Sequence, residues 1–214
     1  MQAYQSGRPI AVTPWPLAAP HIQQVRAMRA VDVGERKPLI LVFSVVTPHT
    51  TTRDSARDLI RSALRDTLSI LLGLSPQSVH LISEPGQPVR LALPQQRIGL
   101  SISHEPGFSL AAINLNGKIG IDMMRTARIS DWQQVTQDYL GSTIYKSILN
   151  KPESQRENAF AEEWTSYEAS LKCLGLGITE WNVRLDSTLG QCAVNPLILP
   201  NNIVGNIATL QAKP

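Results

Sequence analysis

The strongest pattern of apolar positions in the chain lies between residues 160 and 174. Large apolar side chains recur there at alternating steps of four and three, and so form one stripe along a predicted helix: Phe160, Trp164, Tyr167, Leu171 and Leu174. Gly175 follows at the point where helices commonly end in a left-handed residue. Glu168 and Lys172 are four residues apart, so their side chains meet beside this stripe.

Other helices are predicted from capping residues and weaker periodicity. Thr52 and the residues beside it form a helix start, and the helix that follows runs to about residue 72. Helical spacing also covers 21–30 and 130–139, whereas the pattern at 141–149 fits no single element.

Strands are predicted where aliphatic runs or alternating residues are bounded by turn residues. The ranges are 10–13, 39–46, 79–83, 89–93, 98–103, 108–115, 118–124, 181–186, 191–197 and 203–210. Residues 104–107 are expected to form a tight loop, and Asn116-Gly117 is a hairpin signal between the strands that flank it.

The order of these elements predicts an α+β fold. A strand, a helix and several strands occur once before residue 115 and again after it. We therefore expect two similar α+β halves, 1–115 and 116–214, with a pseudo-twofold relation and a ligand cleft between them. A monomer would suffice, because the two halves supply both walls of such a cleft.

Composition narrows the class of protein without defining its activity. The chain has 214 residues, of which 43% are apolar and 17% charged, and a formal net charge of +3. That charge is small and dispersed, which argues against a nucleic-acid partner. No apolar run approaches the ~20 residues of a membrane span. Two cysteines make no disulfide framework, and the proline-rich N-terminus lacks a signal-peptide core, so a cytoplasmic protein is expected.

Three stretches could carry chemistry. Ser103-His104 ends a strand, Asp122 lies inside an apolar strand, and Glu168 and Lys172 share a helix face. A carboxylate among apolar residues is costly unless it is paired, hydrogen-bonded or bound to a metal. Two carboxylates would repel unless a cation such as Mg²⁺ lay between them. Taken singly, each feature is better explained structurally, as a loop histidine, a salt-bridged aspartate and a helix-surface ion pair.

A row of arginines on the first long helix has two interpretations. Four arginines recur at steps of four: Arg53, Arg57, Arg61 and Arg65. A solvated helix face is the favoured interpretation, and a phosphate contact from one or two of them is the alternative.

The three stretches together resemble the 4′-phosphopantetheinyl transferases of the long, two-half type that activates synthetases and carrier proteins. The matching motifs are Ser103-His104, then Gly120-Ile121-Asp122, then Trp164-x-x-x-Glu168-x-x-x-Lys172 followed by Gly175. The resemblance covers roughly residues 57–186. Each motif alone is weak, whereas their order and spacing together are specific.

The resemblance implies an activity and a role for each matched residue. Such enzymes use Mg²⁺ to move the phosphopantetheine arm of coenzyme A onto a serine of an acyl or peptidyl carrier protein, leaving adenosine 3′,5′-bisphosphate. Asp122 and Glu168 would ligate the metal, and Glu168 would also be the base for the serine. Lys172 would contact a phosphate or the leaving group. Ser103 and His104 would contact coenzyme A phosphates, with His104 at the 3′-phosphate.

Three positions depart from the family pattern. The acid usually found two residues after the aspartate is replaced by Met124, whose thioether is a poor Mg²⁺ ligand. Tyr167 stands where a lysine often precedes the helix glutamate, and Gln87 stands where a turn lysine is usual. Arg57 and Arg61 are candidate phosphate contacts, and either of them, or Arg90, could replace the lost cations. These changes favour, as the alternative, a family member that binds coenzyme A or a carrier protein without turnover; a third interpretation is an unrelated α+β binding protein.

Overall fold

The computed structural model describes residues 8–30, 39–84, 87–92, 97–126, 129–200 and 202–211. Its α-helices and strands are, in chain order, β1 Ile10–Ala11, β2 Thr13–Pro14, α1 Ala19–Ala30, β3 Ile40–Val46, α2 Arg53–Leu72, β4 Leu81–Ile82, β5 Arg90–Leu91, β6 Gly99–Glu105, β7 Phe108–Asn114, β8 Ile119–Arg125, α3 Trp132–Val135, α4 Ser142–Leu149, α5 Glu153–Leu174, α6 Val183–Leu189, β9 Cys192–Ile198 and β10 Ile203–Leu210. This mixture confirms the predicted α+β class. Among the helices of the described ranges, none is both long and apolar enough to cross a membrane.

The described residues divide into two compact units. The N-terminal unit comprises residues 12–119, and the C-terminal unit comprises the residues up to Ala11 together with 120–211. The predicted boundary at residue 115, the similarity of the halves and their pseudo-twofold relation stay predictions.

The N-terminal unit is built on a four-stranded sheet in the order β2-β3-β7-β6. Strands β3 and β6 both run antiparallel to β7, so that Ile40 and Gly99 each lie opposite Asn114. Its core joins α2 to the sheet through Phe43, Ile60, Leu64, Leu68, Leu100 and Ile113. Thr52 caps α2 as predicted, because its side chain accepts a hydrogen bond from the Ser55 N–H.

The C-terminal unit is built on a second four-stranded sheet, in the order β1-β9-β10-β8, with α5 packed on it. The predicted apolar stripe of α5 packs into a core with Trp132, Leu140, Ile148, Leu185 and Leu189. A second face of α5, made of small residues, packs against the sheet through Ala169, Cys173, Cys192, Val194 and Ala208. Helix α5 is therefore buried on two faces, whereas the sequence pattern predicted one.

The predicted hairpin at Asn116-Gly117 is wrong. Strands β7 and β8 belong to different sheets, so this turn does not pair them. The Asn114 side chain accepts a hydrogen bond from the Asn116 N–H and donates another to the Lys118 carbonyl. These side-chain bonds organise the turn in place of a strand ladder.

Two other local predictions need correction. His104 and Glu105 continue strand β6, and the tight turn is confined to Pro106-Gly107, where Gly107 has a φ of 80°. The segment predicted as a strand at 181–186 instead enters helix α6, because the Asn182 side chain accepts a hydrogen bond from the Leu185 N–H and caps it. The uncertain segment 141–149 contains helix α4.

Candidate functional site

Asp122 is a buried carboxylate in the middle of strand β8, with 5% of its surface exposed. Lys172, in the last turn of α5, donates a hydrogen bond to Asp122 Oδ1 over 2.5 Å. The same ammonium donates to the main-chain carbonyl of Ile121 over 3.2 Å. The buried acid therefore has the charged partner that its apolar surroundings require.

Glu168 completes a cluster with these two side chains. Its Oε2 lies 3.8 Å from Lys172 Nζ, one helical turn away. Burial raises the pKa of Glu168, and the nearby charge of Asp122 raises it further, while Lys172 and a hydrogen bond from the Trp164 side chain lower it. Asp122, Glu168 and Lys172, hereafter the acid–lysine cluster, are brought together from positions about fifty residues apart in the chain.

A glycine allows α5 to approach β8 closely enough to form this cluster. A Cβ atom at Gly120 would lie 1.9 Å from the Ala169 carbonyl oxygen and 2.4 Å from the Cys173 nitrogen, both in the helix backbone. Gly120 precedes Asp122 by two residues, and Ala169 follows Glu168. The glycine of the Gly120-Ile121-Asp122 motif thus has a packing reason that the spacing of the motif did not reveal.

Three aromatic rings surround the side chain of Trp164. The ring of Phe160 stacks at 6.0 Å, that of Tyr139 approaches edge-on at 5.8 Å, and that of Tyr167 lies tilted at 5.5 Å. Such contacts hold an indole in one orientation. Because the Trp164 side chain is also hydrogen-bonded to Glu168, this aromatic packing helps to orient the carboxylate.

Tyr167 joins α5 to the segment that follows it. Its buried hydroxyl donates a hydrogen bond to the Thr179 carbonyl and accepts one from the Thr179 N–H over 3.2 Å. Burial raises the pKa of Tyr167. The hydroxyl therefore serves as a main-chain clamp on residues beyond Gly175.

The structure places Ser103 and His104 in the N-terminal unit. Ser103 is buried on β6, and His104 Nδ1 lies 2.9 Å from Ser109 Oγ across the β6–β7 pair. The turn of this hairpin packs against a residue that the sequence did not single out, because a Cβ at Gly107 would lie 3.0 Å from the ring of His49. His49 precedes the start of α2 by four residues, so a second imidazole lies beside the same hairpin.

Arg57 and Arg61 lie on the exposed side of α2, also in the N-terminal unit. The Arg57 guanidinium is 3.4 Å from Asp54 Oδ1. Arg61 donates a hydrogen bond to Ser83 Oγ over 2.9 Å and lies 3.7 Å from Asp58 Oδ1. Both side chains remain more than a third exposed, and these contacts decide neither interpretation of the arginine row.

Two proteins of known description are similar to part of the chain. The 4′-phosphopantetheinyl transferase HetI of a Nostoc species is 30% identical over 124 residues, which are 56% of this chain and 52% of that protein. A Synechocystis protein named provisionally as a 4′-phosphopantetheinyl transferase is 23% identical over 121 residues, which are 56% of this chain and 49% of that protein. Over that part, this chain is similar to proteins named as 4′-phosphopantetheinyl transferases. It spans about half the length of these two relatives, and no protein-family model matches it.

The positions that depart from the transferase pattern have structural roles or local contacts here. Met124 is partly buried against the core on the apolar stripe of α5. Tyr167 has become the clamp on Thr179. The Gln87 N–H donates to the Glu84 carbonyl over 3.1 Å, and Arg90 pairs with the Glu84 carboxylate at 3.5 Å, while the two residues before Gln87 lie outside the described ranges.

The acid–lysine cluster has the oxygen donors that a hard divalent cation prefers. Within the described ranges, no three His, Cys, Asp or Glu side chains are grouped as a ready-made metal site. The carboxylates of Asp122 and Glu168 nevertheless converge on one cation, the Lys172 ammonium. Two carboxylate oxygens suit Mg²⁺, which completes its shell with waters and substrate phosphates.

A further acid on α5 was missed by sequence reasoning. Burial raises the pKa of Glu163, and the charge of Glu162 adds to this effect while Lys151 opposes it. Glu163 follows Phe160 by three residues and precedes Tyr167 by four, so helix periodicity places it beside the apolar stripe. That spacing was the available signal for a partly buried carboxyl group.

Proposed function

We propose that this protein transfers the 4′-phosphopantetheine group of coenzyme A to a serine of an acyl or peptidyl carrier protein, in a reaction that depends on Mg²⁺. The observation that carries the proposal is the convergence of Asp122 and Glu168 on one cation position. The relatives named as 4′-phosphopantetheinyl transferases support the same reaction class.

Asp122 and Glu168 would hold the metal, which when bound neutralises charge on the pyrophosphate of coenzyme A. The carrier serine oxygen would form a bond to the phosphorus that bears the pantetheine arm. The bond from that phosphorus to the bridging oxygen would break, and adenosine 3′,5′-bisphosphate would leave with the electron pair. Transfer of this kind needs positioning and charge neutralisation more than covalent help from the protein.

The chain's own groups have matching roles. Glu168 would accept the serine proton, and its raised pKa suits a carboxylate that must bind a proton during the reaction. Lys172 would stabilise the departing bisphosphate. Ser103 and His104 would contact coenzyme A phosphates, with Arg57 and Arg61 as further candidates on α2.

Incubation with coenzyme A, Mg²⁺ and a panel of apo carrier proteins tests the proposal. Intact mass spectrometry should find one carrier that gains the mass of the phosphopantetheine group. Glu168→Gln, which keeps the shape of the side chain, should abolish that gain, whereas exposed Glu180→Gln should not. No mass gain on any carrier would contradict the proposal.

A second candidate function is binding of coenzyme A or a carrier protein without turnover. The observation that favours it is Met124, whose thioether packs against apolar residues where a third acid is usual. Met124→Glu separates the two candidates. A large gain in turnover would indicate a decayed site, whereas wild-type turnover that the variant does not improve would indicate a site that works with two acids.

A further inference from the structure

Lys172 contacts both of the carboxylates that the proposed function assigns to a metal. Its ammonium makes hydrogen bonds of 2.5 Å to Asp122 Oδ1 and 3.2 Å to the Ile121 carbonyl, and an ion pair of 3.8 Å with Glu168 Oε2. An ammonium has three N–H donors, and three oxygens surround this one. In this arrangement the Lys172 ammonium is bound by the carboxylates of Asp122 and Glu168, hereafter the acid pair.

We propose that Lys172 is a resident cation of the acid pair and that a divalent metal ion binds there only by displacing it. This inference rests on the proposed function for the identity of the metal. The ammonium lies 2.5 Å from Asp122 Oδ1, and a Mg²⁺–oxygen distance is about 2.0–2.1 Å, so an ion on that oxygen would lie at most about 4.6 Å from the ammonium if Lys172 stayed in place. Two cations at that separation repel strongly in a partly buried site.

Exchange of the ammonium for a metal ion would also keep a cation beside the buried carboxylate of Asp122 at all times. This carboxylate lies in an apolar strand with 7% of its side chain exposed, so leaving it without a cation would be costly. Lys172 balances the negative charge of Asp122 in this arrangement, and a bound metal ion would balance it in place of Lys172. With Met124 in place of a third acid, the pair carries at most two negative charges, which makes the competition of a single ammonium more effective.

The displaced lysine would then be available for the substrate. Its side chain is 32% exposed, and its four-carbon stem is flexible, so the ammonium can leave the acid pair without movement of α5. Lys172 would therefore contact a coenzyme A phosphate only after the metal has bound. These two contacts would then form in order, metal first and lysine second.

Binding of Mn²⁺ to the free protein, followed by electron paramagnetic resonance, tests this inference without coenzyme A or a carrier. Lys172→Met should bind Mn²⁺ at least about tenfold more tightly than the wild type, because a positive charge beside the site is removed. Lys146→Met, at an exposed lysine of α4, is the matched control and should leave the affinity unchanged.

Three results would overturn the inference. They are an affinity in Lys172→Met that equals or falls below the wild-type value, an equal gain in the control, and the lack of Mn²⁺ binding by both wild type and Lys172→Met.

A second measurement guards against misfolding of the variant. In wild-type protein labelled with ¹⁵N-lysine, Mg²⁺ should convert a slowly exchanging Lys172 ammonium signal into that of a solvent-exposed lysine, and an unchanged signal would also overturn the inference. Neither assay depends on transfer, so a failure of the proposed function would be seen separately, in the carrier assay.

Discussion

Substitution of Gly120 by alanine is the sharpest test of how the acid–lysine cluster is built. The added Cβ would lie 1.9 Å from the Ala169 carbonyl oxygen, whereas ordinary contact begins at 3.4 Å, so α5 and β8 must separate by about 1.5 Å. A second atom, the Cys173 nitrogen, would lie 2.4 Å from the added Cβ. Because this nitrogen and the Ala169 oxygen both belong to the helix backbone, no side-chain rotation relieves the clash. Overpacking of this kind costs about 1–3 kcal/mol, which lowers the Tm of a chain of this size by roughly 3–10 °C.

The same displacement should damage the site. Strand β8 carries Asp122 and α5 carries Glu168 and Lys172, so a separation of this size would move the two carboxylates apart. A misplacement of about 1 Å can lower a catalytic rate about a hundredfold. Circular dichroism would measure Tm, and intact mass spectrometry would measure carrier modification well below Tm.

Gly190→Ala is the matched control for Gly120→Ala. Its added Cβ would lie 3.4 Å from the nearest atom, and Gly190 already has a φ of −59°. This control should change the free energy of unfolding by no more than about 1 kcal/mol. Equal Tm values for Gly120→Ala and the wild type, with equal modification rates, would refute the reasoning.

Three further predictions follow from other parts of the site. Tyr167→Phe should lose about 1–2 kcal/mol of stability and speed hydrogen exchange at the Thr179 amide, and the control Tyr145→Phe should do neither. Burial raises the pKa of Glu163 above 4.5, so its contribution to stability is present below about pH 4.5 and is lost as pH rises through the raised pKa. As pH rises from 4 to 7, the free energy of unfolding of Glu163→Gln, measured in urea, should therefore increase relative to that of the wild type. A difference between the two proteins that does not vary with pH would count against this account. His104→Ala should raise the KM for coenzyme A about tenfold with little change in kcat, but should leave the KM for dephospho-coenzyme A unchanged; equal defects with both substrates would exclude a 3′-phosphate contact.

Elements defined by local signals were predictable from the sequence. Helix α2 has a capping threonine and a regular apolar face, and β3 is a run of apolar residues interrupted only by Ser44, so each is specified by its own residues. The Asn116-Gly117 turn was not predictable in the same way, because β8 pairs with β10, a strand about eighty residues later. Helix α6 was misjudged because its cap, Asn182, outweighs the short apolar alternation that suggested a strand.

The residues that form the site were easier to predict than the contacts between them. Asp122 had to find a partner, because a carboxylate in an apolar strand is unstable alone. That Lys172 would be this partner depends on how closely α5 approaches β8, which is set by contacts between residues distant in sequence. The clamp from Tyr167 to Thr179 depends on the path of a segment without regular structure, and no periodic pattern encodes such a path.

The burial of α5 on two faces explains why its charged residues lie where they do. The apolar stripe through Phe160 and Leu171 packs on one side, and the small residues around Ala169 pack on the sheet. Helix periodicity places Glu168 and Lys172 along the border between these faces, where a side chain is partly buried yet can reach β8. An acid placed within either face would be fully desolvated, and one on the remaining surface could not approach Asp122. The same packing that stabilises the helix therefore restricts the acid–lysine cluster to this border, and it makes Gly120, which carries no reactive group, as necessary to the site as the acids themselves.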